Sequence, residues 1–170
     1  MSKKLIANNP KRWEGYRCAA KADFFLGNAN EALGYIRSAI ERAPEATKAA
    51  LKLGEQEILV LRDFNVAVAS GKEKQNYGQY SASAIDFAKA FHTMPQKVAI
   101  GILSADMYHA AKDLTGEKAM LQEVCGRPEV SKTLQEQLLA RLQTLVKLEG
   151  EQKEKELAKQ KELDEQNRRA

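Results

Sequence analysis

The sequence predicts an all-α protein built of antiparallel helix hairpins, and three observations predict it. Apolar residues recur at three- and four-residue spacing through most of the 170 residues, while two-residue alternation is nearly absent. Pro10 and Pro44 lie 34 residues apart and bracket one turn, Gly27-Asn28, so a helix–turn–helix unit fits between two stops. Leu134, Leu138, Leu142, Leu145 and Leu148 then mark one face of a last helix. At this length, 44% hydrophobic residues suffice for a packed core, and only 4 prolines suit long helices.

The first hairpin spans residues 13–46, WEGYRCAAKADFFLGNANEALGYIRSAIERAPEA. Ala20 and Ala32 are small residues where two helices can press together. Gly27 permits the left-handed backbone of a helix end, and Pro44 stops the second helix. Ile36 and Ala39 follow at the spacing that faces the partner helix. Before it, Leu5-Ile6-Ala7-Asn8-Asn9-Pro10 reads as the end of an earlier helix. Two accounts of this beginning stand: the chain is a piece of a longer array, or the segment is a short cap over Trp13 and the first helix.

After Pro44 the chain stays helix-compatible from Ala46 to about Ser70. The stretch ILVLRDFNVAVA within it is β-branched, but its helical neighbours and its length favour helix. A turn is expected at Gly71-Lys72-Glu73-Lys74-Gln75-Asn76, then a helix from about Tyr77 to Thr93 with Ala84, Phe87, Ala88 and Phe91 on one face and Pro95 as its stop. Tyr77 and Tyr80 beside that turn are read as packing or rim residues. A third pair is expected from Val98 to Leu114 and from Glu117 to Val124, joined by Thr115-Gly116. Gly126-Arg127-Pro128 breaks the chain again, and the last helix is expected to start near Glu129.

Residues 13–46 resemble the tetratricopeptide (TPR) repeat. Ala20, Gly27-Asn28, Glu31-Ala32, Ile36, Ala39 and Pro44 stand at its small-contact, turn and terminating positions. The unit is divergent: Tyr16 stands where the family prefers Trp, Ala19-Ala20 where it prefers Leu-Gly, and Asp23 where an aromatic is usual. Leu53-Gly54 falls where the next repeat's Leu-Gly pair would stand, and the likeness is looser to about residue 125. The resemblance implies an all-α, TPR-like α-α superhelix of antiparallel hairpins with a long charged C-terminal helix. It also implies a groove lined by the outward positions of each first helix: Glu14, Arg17, Lys21 and Phe25, then Lys48 and Lys52 with Glu55 one turn on.

Arg17 and Lys21 place two cations one turn apart, readable as a clamp for an acidic or carboxylate-ended segment or as a solvated basic face. The asparagines of the heat-shock-chaperone carboxylate clamp are absent, which argues against that subtype. The implied function is a non-catalytic adaptor or scaffold that binds a peptide or protein. The alternatives are a secretion-type chaperone and a structural subunit of a larger assembly, and a homo-oligomer stays open.

The domain expected over residues 1–149 is followed by a charged tail, residues 150–170, either helical or disordered. Heptads continued from Leu138, Leu145 and Leu148 meet Gln152, Lys155, Lys159 and Glu162, so that seam ends near Leu148. The tail reads as a solvated helix, as a helix running into a partner or a dimer, or as a basic contact through Arg168-Arg169.

Other function classes find little support. There is no GxxxxGK[ST], GxSxG or HExxH, and no Cys/His/Asp cluster at ligand spacing around His92 or His109, so neither enzyme, metal nor cofactor is expected. Asp86, Asp106 and Asp113 read as helix-surface charges. A net charge of +4 arises from interspersed signs without an Arg-aromatic stripe, which argues against nucleic acid. No apolar run reaches membrane-spanning length, and the N-terminal apolar run is too short for a secretory signal. Cys18 and Cys125 show no pairing signature and suit free thiols in a reducing, cytoplasmic setting.

Overall fold

The computed structural model describes residues 6–169, with all their side chains except those of Leu163 and Arg169. Leu5 of the expected N-terminal helix end lies outside the described residues; residues 6–8 are helical. Among the described residues the protein is all-helical. The elements are α1 (Trp13–Phe25), α2 (Ala29–Arg42), α3 (Glu45–Asn76), α4 (Tyr80–Thr93), α5 (Val98–Ala110), α6 (Leu114–Cys125) and α7 (Lys132–Arg169).

The chain forms two compact units, one of residues up to Ser70 with His92–Met94, the other of Gly71–Phe91 with Pro95 onward. In the first, α1 and α2 meet through buried Ala19, Ala20, Ala32 and Ala39, whose small side chains let the axes approach. Leu33, Ile36, Leu51 and Ile58 complete this core, with Trp13, Tyr16 and Phe24 packed against it. In the second, Phe91, Ala105, Leu121, Val124, Leu138 and Leu145 form a core shared by α4, α5, α6 and α7. Two buried hydroxyls tie its helices: Ser83 Oγ donates to Gly71 O at 2.8 Å and Ser104 Oγ to Ala84 O at 2.8 Å. Each side-chain donor and its acceptor thereby escape the cost of an unpaired polar group.

Three helices end in the same left-handed cap. After α1, Asn28 N donates to Asp23 O and Gly27 N to Phe24 O, with Gly27 at φ 80°. Gly78 at φ 71° repeats this after α3, and Lys112 at φ 60° repeats it after α5, the one case without glycine.

These caps correct the expected boundaries. The turn expected at residues 71–76 is helix, and α3 runs to Asn76, so α4 begins at Tyr80 rather than near Tyr77. Gly71 is buried against Phe87, where a Cβ would lie 2.9 Å from the ring, so this glycine serves a close contact while Gly78 makes the turn. The turn expected at Thr115-Gly116 lies inside α6, and α5 ends at Ala110 instead of Leu114. A Cβ on Gly116 would stand 2.5 Å from the Tyr108 ring, and Asp113 caps α6 by accepting from Gly116 N at 2.8 Å. The last helix starts at Lys132, not near Glu129, because Ser131 Oγ accepts from Leu134 N and sets its first turn.

On α7, Leu138 and Leu145 are buried and Leu148 is exposed, so the buried seam ends at Leu145, one seam position before the expected Leu148. The tail is helical and continues α7 through Gly150, with its described side chains exposed. No helix among the described residues is long and apolar enough to cross a membrane.

Candidate functional site

A cleft of 360 Å³ opens in the first unit, between α1 and α3 and over α2. Arg17, Lys21, Phe24 and Phe25 form its α1 wall; Ala50, Gly54 and Glu57 form the α3 wall; Ala20, Ile36, Leu51 and Ile58 contribute apolar lining. Spacings of three, four and seven residues explain each wall, since they bring side chains to one helix face. A Cβ on Gly54 would make one ordinary contact, with the Ile36 side chain at 3.8 Å.

The cations on this wall rest on aromatic rings. The Arg17 guanidinium lies 5.5 Å from the Trp13 ring centre, and Lys21 Nζ 5.9 Å from that of Phe25. Phe25 in turn meets Phe24 edge-on, with centroids 5.8 Å apart. Neither Arg17 nor Lys21 is in an ion pair among the described residues, although the Arg17 charge helps to lower the Glu14 pKa. Phe25 is 74% exposed, so most of its ring faces solvent beside the cleft.

The walls are fixed by contacts outside the cleft. Arg37 Nε donates to Glu55 Oε1 at 2.6 Å and joins α2 to α3. Asn65 Nδ2 donates to Gly27 O at 3.1 Å and holds the α1–α2 turn on α3. Tyr16 Oη and Arg42 Nε both donate to Pro10 O, and Arg42 stacks 4.5 Å from the Tyr16 ring centre.

The six positions expected in the groove do not all meet. Arg17, Lys21 and Phe25 line the cleft together. Glu14 lines a separate hollow of 210 Å³ with Asn9, Arg12, Gly15 and Cys18. Its own backbone N–H, at the start of α1, lowers its pKa; burial opposes this, and Arg12 reinforces it. Lys48 and Lys52 are not among the lining residues. Lys48 Nζ pairs with Glu45 at 2.9 Å, and this bond, with the charges of Lys48 and Lys52, holds the Glu45 carboxyl below its usual range. The residues that α3 does bring are Ala50, Leu51, Gly54, Glu57 and Ile58. Leu53-Gly54, read as a repeat pair, was the available signal for them.

A second polar constellation lies in the other unit. Glu117, only 1% exposed, receives Arg141 Nε on Oε1 at 2.7 Å and lies 2.8 Å from His109 Nδ1 through Oε2. Arg141 also donates to Asp106 Oδ1 at 2.6 Å. Burial works against the Arg141 charge, but Asp106 and Glu117 outweigh it and hold its pKa above the ordinary value. Both oxygens of Glu117 are occupied, so the group binds α5, α6 and α7 to one another and offers no free base. No group of three or more His, Cys, Asp or Glu among the described residues could hold a metal ion.

No known family model and no curated protein matches the sequence of this chain.

Proposed function

We propose that the protein is a non-catalytic interaction module whose α1–α2 hairpin is a TPR-like repeat and whose α3 opens the next one. In this reading the cleft takes an acidic peptide segment carrying an aliphatic or aromatic anchor. The observation that carries it is the joining of two cations in no short ion pair among the described residues, Arg17 and Lys21, to an exposed Phe25 and an apolar base in one concave site. A carboxylate would pair with the cations, and an anchor side chain would cover Phe25 and Ile36. Mechanism is passive: the helices are preformed, so little ordering cost falls on the protein side. Glu57 on the facing wall disfavours a second carboxylate there and so sets the direction of the segment.

Fluorescence anisotropy with labelled acidic peptides carrying one Leu or Phe anchor tests this. The double charge reversal Arg17→Glu with Lys21→Glu is expected to weaken binding by at least about tenfold, since each exposed pair contributes up to about 1 kcal/mol and reversal adds repulsion. Phe25→Ala is expected to cost about 2 kcal/mol as a central anchor contact. Unchanged binding in all these variants, with far-UV circular dichroism also unchanged, rules the cleft out.

A further inference from the structure

Three of the four exposed large apolar side chains described on α7 share one line, while the fourth, Leu148 at 39% exposure, lies on the opposite side of the helix. Leu139, Val146 and Leu157 are 46%, 54% and 58% exposed, and with Gly150 they follow one another at steps of seven, four and seven residues. Those steps add to 18 residues, about five whole turns, so all four lie on one line along the helix. The line runs roughly a third of a turn from the buried seam of Leu138 and Leu145. A heptad continued from the buried seam passes it by. Gly150 has nothing within 4 Å of where a Cβ would stand, so the helix backbone is bare at the centre of the line.

We propose that this line is the contact by which two copies of the chain associate, their α7 helices packed antiparallel about a twofold axis at the height of residue 148, on the side opposite the Leu148 side chain. Two features of the sequence select this occupant and this direction. In the antiparallel register Leu139 faces Leu157 of the second copy and Val146 faces its Gly150, so each large apolar side chain meets another or fills the gap over a glycine. The same register sets Lys132 against Asp164, Lys153 against Gln143 and Lys161 against Gln135, with no like charges opposed. A parallel, in-register pair would instead set Lys132, Lys153 and Asp164 each against itself, which like-charge repulsion disfavours. The arrangement is isologous, so each contact occurs twice and the assembly closes at two copies.

The contact is narrow, one helix face on one helix face, and its affinity is therefore expected to be in the micromolar range, about three decades weaker than an obligate dimer. Because the three side chains are exposed, their replacement leaves the fold of each copy intact.

Sedimentation velocity of the full chain over a range of concentrations tests the proposal. A reversible monomer–dimer equilibrium is expected, and Leu139→Asp or Leu157→Asp should each weaken it by at least tenfold with unchanged far-UV circular dichroism. Direction is tested by cysteine pairing in a Cys18→Ser background. A mixture of Leu139→Cys and Leu157→Cys chains should cross-link under mild oxidation, while either alone should not, since like positions stand about 27 Å apart in the antiparallel pair. A monomer at all concentrations overturns the proposal. So does a dimer indifferent to both aspartate substitutions, or cross-linking of either cysteine variant with itself.

Discussion

Substitution of Arg141 by methionine removes three short bonds at once while keeping most of the side-chain volume. Nε and Nη2 hold Glu117 Oε1 at 2.7 and 2.6 Å, and Nη1 holds Asp106 Oδ1 at 2.6 Å. These are not equal losses. Asp106 is 46% exposed and water replaces its partner, so that bond counts for less than about 1 kcal/mol. Glu117 is 1% exposed and would keep only His109, so its carboxylate would be left partly unpaired in the core. Removing one partner of a buried pair costs about 3–5 kcal/mol, and the 30% exposure of Arg141 places this case near the lower bound, about 3 kcal/mol. Urea unfolding followed at 222 nm should show a midpoint lower by about 1.5 M, for a slope near 2 kcal/mol per molar. The double variant Arg141→Met with Glu117→Leu removes charge and countercharge together and should recover most of the loss. A cost below about 0.5 kcal/mol for Arg141→Met, or a double variant no more stable than the single, would refute the view that Glu117 needs its arginine.

Three further outcomes follow from the packing. Burial, with the Asp113 carboxylate nearby, raises the Tyr108 pKa above its ordinary 10.0, so the folded state holds this proton more tightly than the unfolded one. Its contribution is complete below about pH 10 and is lost as pH rises through the raised value; Tyr108→Phe should therefore flatten the alkaline fall of the melting temperature without changing it near neutrality. Gly101→Ala would set a Cβ 2.5 Å from Val124 Cγ2 and 3.1 Å from the Phe91 ring, and should cost about 1–3 kcal/mol in chemical denaturation, whereas Gly34→Ala, with nothing within 4 Å, should add about 0.5–1 kcal/mol. Lys112 holds φ 60° at a left-handed cap, so Lys112→Gly should raise stability by about 0.5–1 kcal/mol, read as a higher thermal midpoint.

The helices were legible wherever a strong period met an unambiguous stop. Pro44, Pro95 and the Gly126-Arg127-Pro128 break all fall between helices, and the buried leucine seam of α7 ends at Leu145, just short of the expected Leu148. Boundaries failed where a glycine could serve either of two purposes. Gly71 and Gly116 admit aromatic rings, while Gly78 takes the left-handed turn, and the local sequence does not distinguish the two uses. The turn at Lys112 had no glycine to announce it. In the cleft, Arg17, Lys21 and Phe25 could be read from their own helix because four-residue spacing fixes a common face. The α3 wall could not, since which residues of a 32-residue helix face α1 depends on the rotation of that helix, set by Leu51 and Ile58 in the core. The Glu117 network was hidden for a similar reason: Arg141 is 24 residues away in sequence, and burial of a carboxylate has no local signature.

The central claim is that the α1–α3 cleft receives an acidic, singly anchored segment. Amide chemical-shift mapping of the full chain during titration with such a peptide tests it most directly, because it locates the contact without substitution. The account predicts saturable shifts concentrated at Arg17, Ala20, Lys21, Phe24, Phe25, Gly54 and Glu57, weakened by salt. Shifts confined to other surfaces, or none at millimolar peptide, would contradict it.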